Sequence, residues 1–219
     1  MTNRGLKLAS VGVVLGMTIV ALVALYRLPP GAQLPTHWNA AGEVDRRMSA
    51  PGALFFGIGM SALLSLVLAV VPALEPNQAR RDAGAPVLRA AWAGLLVLMV
   101  AVEGAVVAPA FGWHLPTLLP LAGAGLLLIV IGNVLPKSRP GFFVGIRTPW
   151  TLTDPENWIA THRLGSRTMM LGGATIVAAA VLPLGAGVRQ ALIMAAVVVA
   201  ALPPLIFSWW FWRRRAAHR

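Results

Sequence analysis

ALFFGIGMSALLSLVLAVVPAL, residues 53–74, runs for 22 residues without a charged side chain. As a helix, that length crosses a hydrocarbon core of about 30 Å. The run also lacks the strict apolar–polar alternation of a barrel strand, and no water is available in lipid to satisfy a partly bonded backbone, so a helix is the spanning element it predicts. Five further stretches are long enough, or nearly so, to cross as helices: 8–26, 90–111, 118–135, 168–184 and 191–212, with 118–135 and 168–184 the shortest. A composition of 58% hydrophobic and 11% charged residues lies far from that of a soluble domain. The expectation is an all-α, polytopic membrane protein, one bundle of six transmembrane helices spanning residues 1–219. The first span follows Arg4 and Lys7, but its apolar core is too long for a secretory signal and no A-x-A site follows, so it is expected to be retained. Without cysteine, the chain has no disulfide, thiolate nucleophile or cysteine metal site.

A net charge of +11 would suggest nucleic acid as the partner of a soluble chain, so its distribution decides. Six spans put fourteen of the 18 Lys and Arg residues on one side: Arg4 and Lys7, Arg80, Arg81 and Arg89, five between Lys137 and Arg167, and Arg213, Arg214, Arg215 and Arg219. Arg27, Arg46, Arg47 and Arg189 fall on the other. That is the positive-inside asymmetry; it predicts cytoplasmic N- and C-termini, with membrane lipid rather than nucleic acid as the partner of the charge. Trp92 and Trp113 bracket the third span, and Trp209, Trp210 and Trp212 close the sixth; these are expected to be interfacial anchors.

Two loops are long, 27–52 outside and 136–167 inside. The inner one holds GIRTPWTLTDPENWIATHR, residues 145–163. Thr148-Pro149 forces an extended entry. A helix is then predicted from about residue 155, capped either by Thr153 with Glu156 or by Asp154 with Pro155 at its first position. On it Trp158 and His162 share one face, Arg163 and Arg167 the next, and the helix is expected to lie at headgroup level and to feed the fifth span. Arg147 offers a planar donor fork and Trp150 an aromatic anchor. The candidate partner surface is therefore Gly145, Ile146 and Arg147 leading into Thr148, Pro149 and Trp150, then Thr151 and Leu152, with Trp158, His162 and Arg163 beyond. The plainer reading has Arg147 on phosphates or loop carbonyls and Trp150 setting the depth of the loop.

The outer loop contains PTHWNAAGEVDRR, residues 35–47, with a turn over 39–42 and Trp38 placed to dip into the interface. Pro35, His37, Trp38, Asn39, Gly42 and Asp45 are the candidate ligand-sensing residues there. Glu103, the only acid inside a span, joins them as part of the outer mouth; it should face the bundle and pair with Arg27, Arg189 or another polar group, as a structural acid or as part of a proton or ion path. His37 and His114 with Glu43 and Asp45 match no zinc spacing, so no metal or other cofactor is expected. Gly12 with Gly16, and Gly57 with Ser61, are spaced for close helix approach, and Asn133 should satisfy neighbouring helix ends.

Together, P-x-H-W-N-x-x-G outside, Gly132-Asn133 at the end of the fourth span, and G-I-R-T-P-W-T-L followed by Trp158 and Thr161 to Arg163 resemble the SdpI family of bacterial immunity and signal-transduction membrane proteins. The pattern departs at Gly141, where Asn is frequent, and at Asn157, where an aliphatic residue usually precedes the Trp. The resemblance implies a multi-pass protein of the bacterial cytoplasmic membrane that protects against a secreted SdpC-like toxic peptide. It also implies that, with toxin engaged, the protein captures a cytosolic ArsR-type repressor and relieves repression of its own operon. The competing expectation is a small-solute or ion transporter or channel using Glu103, opposed by the lack of internal repeats. No Ser-His, phosphate-loop or HExxH arrangement is present, so no enzyme is expected.

Overall fold

In the computed structural model, residues 2–39, 41–74, 77–141 and 144–216 are described, with only the backbone at 79 and 80. Arg219, counted above with the inner charge, lies outside the described residues. Among the described residues, six helices are long and apolar enough to cross a membrane. Helix α1 is Asn3–Arg27, its first turn capped by the Thr2 hydroxyl, which accepts from Gly5 N at 3.2 Å. Beyond the outer loop come α2, Ala50–Leu74, and α3, Gln78–Val107. Pro109 ends the α-helical ladder of α3 in a 3-10 turn, Ala108–Phe111, closed by Gly112 at φ +68°. Helix α4 is Leu119–Val134, followed by a 3-10 turn, Leu135–Lys137. A short α5, Pro149–Thr153, precedes α6, Pro155–Val181, and α7, Ala186–Ala216.

The outer loop holds a finding that the sequence reading missed: an antiparallel hairpin, β1 Gln33–Trp38 and β2 Val44–Ser49, added to the all-α bundle. The predicted turn is at its tip, where the Asn39 side chain accepts from Ala41 N at 2.9 Å and Glu43 N at 3.0 Å. Strand β2 passes into α2 without a linker.

Helix α6 is the axis of one half of the bundle, between α4 and α7. Glycines set the approach: a Cβ at Gly125 of α4 would meet Gly173 O at 2.7 Å, and one at Gly172 would meet Ala196 O of α7 at 2.7 Å. The other half packs α1, α2 and α3 around Met17, Ala21, Leu54, Ile58 and Val106. Leu15, Ile19, Phe56, Leu66, Val97 and Ile206 face outward, as lipid contact requires.

Three expectations need correction and one is met. Trp92 is not an interfacial anchor: it is 1% exposed and donates from Nε1 to Ser10 Oγ at 2.9 Å, because an indole with a polar partner inside the bundle can be buried whole. Trp113 does lie exposed, stacked on Phe111. The helix predicted from about residue 155 is present and runs on into the fifth span as α6, since nothing between residues 155 and 181 breaks the ladder. Gly12 and Gly16 meet no other helix, and Asn133 faces outward while Gly132 beside it takes the close contact with Ser166 of α6.

Contacts sort the loops onto two ends. Arg89 Nε donates to Asn3 Oδ1 at 2.9 Å, Gly84 lies beside Val144, and Arg215 pairs with Asp154 and Glu156, so both helical termini and the 145–163 loop share one end. At the opposite end Gly42 lies against Thr117 and Leu118, and Arg27 stacks over Phe111. Alternating spans require this division.

Candidate functional site

At the terminal end, the 145–163 segment folds over a stacked pair on α6. Trp158 and His162, one helical turn apart, have ring centroids 4.0 Å apart with 18° between planes. The Trp158 indole donates to Ser138 O at 3.3 Å. Nε2 of His162 accepts from Ile146 N at 2.9 Å, which leaves Nδ1–H to donate to Trp158 O at 2.7 Å; only the neutral Nδ1–H tautomer makes both bonds. Gly145 crosses the stack at φ +117°, where a Cβ would meet His162 Nε2 at 2.5 Å and the Trp158 ring at 2.8 Å.

Thr148 and Thr151 close α5 as a reciprocal cap: Thr151 N donates to Thr148 Oγ1 at 3.2 Å and Thr148 N to Thr151 Oγ1 at 2.9 Å. The Thr151 hydroxyl reaches back to Ile146 O at 2.9 Å. Of the two caps predicted for α6, the Asp154 form is present, accepting from Glu156 N at 2.9 Å. Thr153 belongs instead to α5.

Burial divides the eleven candidate residues of this loop. Thr148, Thr151, Trp158 and His162 are buried and hold the loop in shape. Gly145 and Ile146 are half-buried over the stack. Arg147, Pro149, Leu152 and Arg163 face outward, and Trp150 rests half-buried on Trp212 of α7, ring centroids 6.1 Å apart. Two features escaped the sequence reading. Asn157 is fully buried; its Nδ2 donates to Ser208 O at 2.8 Å and its Oδ1 accepts from Thr161 at 2.9 Å, joining α6 to α7. Arg215 of α7 reaches both Asp154 and Glu156 at the start of α6. Neither partnership has a sequence signal, because the partners lie more than 50 positions apart.

At the opposite end, His37, Trp38, Asn39 and Asp45 line a cavity of about 550 Å³ with Leu118 and Leu121 of the α4 approach and Gln190, Ile193 and Met194 of α7. His37 Nδ1 lies 2.6 Å from Asp45 Oδ1 across the hairpin. Its walls are aliphatic and its rim polar, so it suits an amphipathic ligand. Pro35 and Gly42 shape the hairpin without lining the cavity. Glu103 is not in it either: the acid is buried between α3 and Gly57 of α2 and, against expectation, has no hydrogen-bond partner among the described residues. Arg27 is over Phe111, and Arg189 Nε donates to Ala179 O at 2.9 Å.

The profile of the SdpI/YfhL protein family matches residues 137–208, from the entry of the buried-stack loop through α6 and most of α7. Over those residues the chain is similar to that family. A second profile, a domain of unknown function (DUF1648), matches residues 12–61, which hold the hairpin. Among curated proteins, the immunity protein SdpI of Bacillus subtilis (strain 168) is 24% identical over 185 residues, covering 83% of this chain and 84% of that one. No solved structure matches the chain. The SdpI/YfhL match spans the 145–163 loop and, of the cavity lining, only Gln190, Ile193 and Met194, whereas His37, Trp38, Asn39 and Asp45 fall within the second profile.

Proposed function

We propose that the chain is an immunity protein of a bacterial cytoplasmic membrane, intercepting a secreted SdpC-like toxic peptide at the hairpin cavity. We further infer that it reports occupancy through the 145–163 loop to a cytosolic ArsR-type repressor. The observation that carries the reading is that one helix serves both ends. Gln190, Ile193 and Met194 of α7 line the cavity, and Trp212 and Arg215 of the same helix touch α5 and the start of α6. Charge asymmetry supports placing the cavity outside, where a secreted peptide arrives, and the loop inside. Similarity to an immunity protein over most of both chains supports the toxin half of the reading.

The chemistry is that of a binding protein. Aliphatic walls take the apolar face of a membrane-active peptide and the His37, Asn39 and Gln190 rim its polar backbone ends. Pro203 and Pro204 lie within α7, where each removes a ladder hydrogen bond, so the helix has a built-in place to bend between its two ends. Carrying the loop from 1:99 to 99:1 occupancy of its repressor-binding arrangement takes about 5.5 kcal/mol of preferential peptide binding. Arg147, Trp150, Leu152 and Arg163 are the surface offered to the repressor.

The test is expression in cells killed by an SdpC-like peptide, with a tagged ArsR-type repressor present. Survival with recruitment of the repressor to the membrane, recruitment being lost in Arg147→Ala or Trp150→Ala at unchanged protein level, is the expected result. Survival without recruitment removes the repressor half, and no protection removes the toxin half.

A further inference from the structure

Glu103 stands apart from both surfaces. It is 4% exposed, and neither carboxyl oxygen has a hydrogen-bond partner among the described residues. One oxygen lies directly against Gly57 of α2, so close that any side chain there would overlap it. Among the described residues, none in reach supplies a positive charge. Helix α2 has no ionisable residue along its length, nor has α4. On α1 the cations are Arg4 and Lys7 at one end and Arg27 at the other, and Arg27 lies over Phe111. On α3 itself Arg81, Asp82 and Arg89 are at least 14 positions away towards the terminal end, as is Lys137 of the turn that contacts α3 there. The strand that meets α3 carries His37, which is paired with Asp45. Even the nearest hydroxyl on the same face of α2, Ser61, is spent on Met17 Sδ at 3.7 Å.

A buried carboxylate with no cation and no donor is too costly to keep, and such a group neutralises instead. The position also offers a route for exchange, since Glu103 is four residues from the end of α3, about 6 Å along its axis from the hairpin end. We propose that Glu103 is a proton-binding site: the carboxyl is carried as the neutral acid, α2 rests on it at Gly57 in that form, and its proton exchanges with the solution at the hairpin end. Losing the proton leaves a bare charge between α2 and α3, which only water entry or separation of the two helices can relieve. Because β2 runs into α2 with no linker, that separation moves the hairpin. Proton occupancy at Glu103 and the position of His37, Trp38 and Asn39 are therefore linked.

The experiment is infrared difference spectroscopy on the full chain in lipid bilayers. Wild type minus Glu103→Gln should isolate the carbonyl stretch of one protonated carboxylic acid at neutral pH; Glu103→Asp should displace that band rather than remove it, and covers failure of the Gln variant to fold. The band should shift in heavy water and fade as pH is raised. Absence of the band at neutral pH overturns the proposal, as does a band that neither shifts in heavy water nor titrates, because the acid is then sealed and structural. Loss of the band when sodium chloride replaces choline chloride at fixed pH also overturns it, assigning the site to a metal cation.

Discussion

The imidazole of His162 lies 4.0 Å from the indole of Trp158, centroid to centroid, and takes the Ile146 N–H on its Nε2. One residue pair on α6 therefore fixes the backbone of a loop that begins 13 positions earlier in the chain at Gly145. The motif that reads from sequence as a docking surface is in large part the means of holding that surface still.

Gly145→Ala should be among the most damaging small changes in the chain. A Cβ would meet His162 and Trp158 within 2.8 Å, at a φ of +117° that side chains avoid. A loss of about 1–3 kcal/mol follows from strain of this kind. Gly31→Ala, at φ +79° with nothing within 4 Å, is the control, with only the conformational cost. Tryptophan-fluorescence melts in detergent should separate the two clearly.

His162→Phe keeps an aromatic ring on Trp158 but leaves the Ile146 N–H without its acceptor. An unsatisfied donor of this sort costs about 1–3 kcal/mol. Hydrogen exchange should show lost protection over 144–152, while α7 remains as protected as in the parent.

These two positions also show what the sequence could and could not disclose. The six spans are legible because each repeats one physical demand, an unbroken apolar run, over many residues. The cap at Asp154 and the shared face of Trp158 and His162 are legible because they are local, within one helical turn. The hairpin is not, since QLPTHW and VDRRMS have neither alternation nor β-branched runs, and Pro35 argues against a strand. Trp92 and Asn157 misled or stayed silent because their burial depends on Ser10 and Ser208, far off in the chain. The outer cavity needs three segments to come together, and only the HWN segment carries a signal of its own.

Asp154→Ala and Arg215→Ala separate capping from the ion pair at the α6–α7 end. Asp154 both caps α6 and meets Arg215, so its loss should cost about 1 kcal/mol from the cap alone. Arg215 has a side chain 36% exposed, and its removal should cost about 0–1 kcal/mol. Equal melting midpoints for the two variants would mean that the ion pair, not the cap, governs this end.

Sidedness is directly measurable because the chain has no cysteine of its own. Arg46 on the hairpin and Thr153 on α5 are both exposed. A membrane-impermeant maleimide added to intact cells should label Arg46→Cys at once and Thr153→Cys only after lysis. The reverse pattern would put the arginine-rich end outside and remove the basis for a repressor-binding loop.

If the cavity takes the toxic peptide, filling it should abolish protection without harming the bundle. Leu121 faces it from α4 and is half-buried, so Leu121→Trp places an indole in the space a ligand would occupy. Val97, 71% exposed on the lipid-facing side of α3, is the matched control: Val97→Trp adds the same bulk to lipid. Survival in the presence of an SdpC-like peptide should fall at least tenfold for Leu121→Trp, equivalent to about 1.4 kcal/mol of lost peptide affinity. It should be unchanged for Val97→Trp, both proteins reaching the membrane at parental levels by immunoblot. Equal survival would mean that the peptide is intercepted elsewhere on the protein.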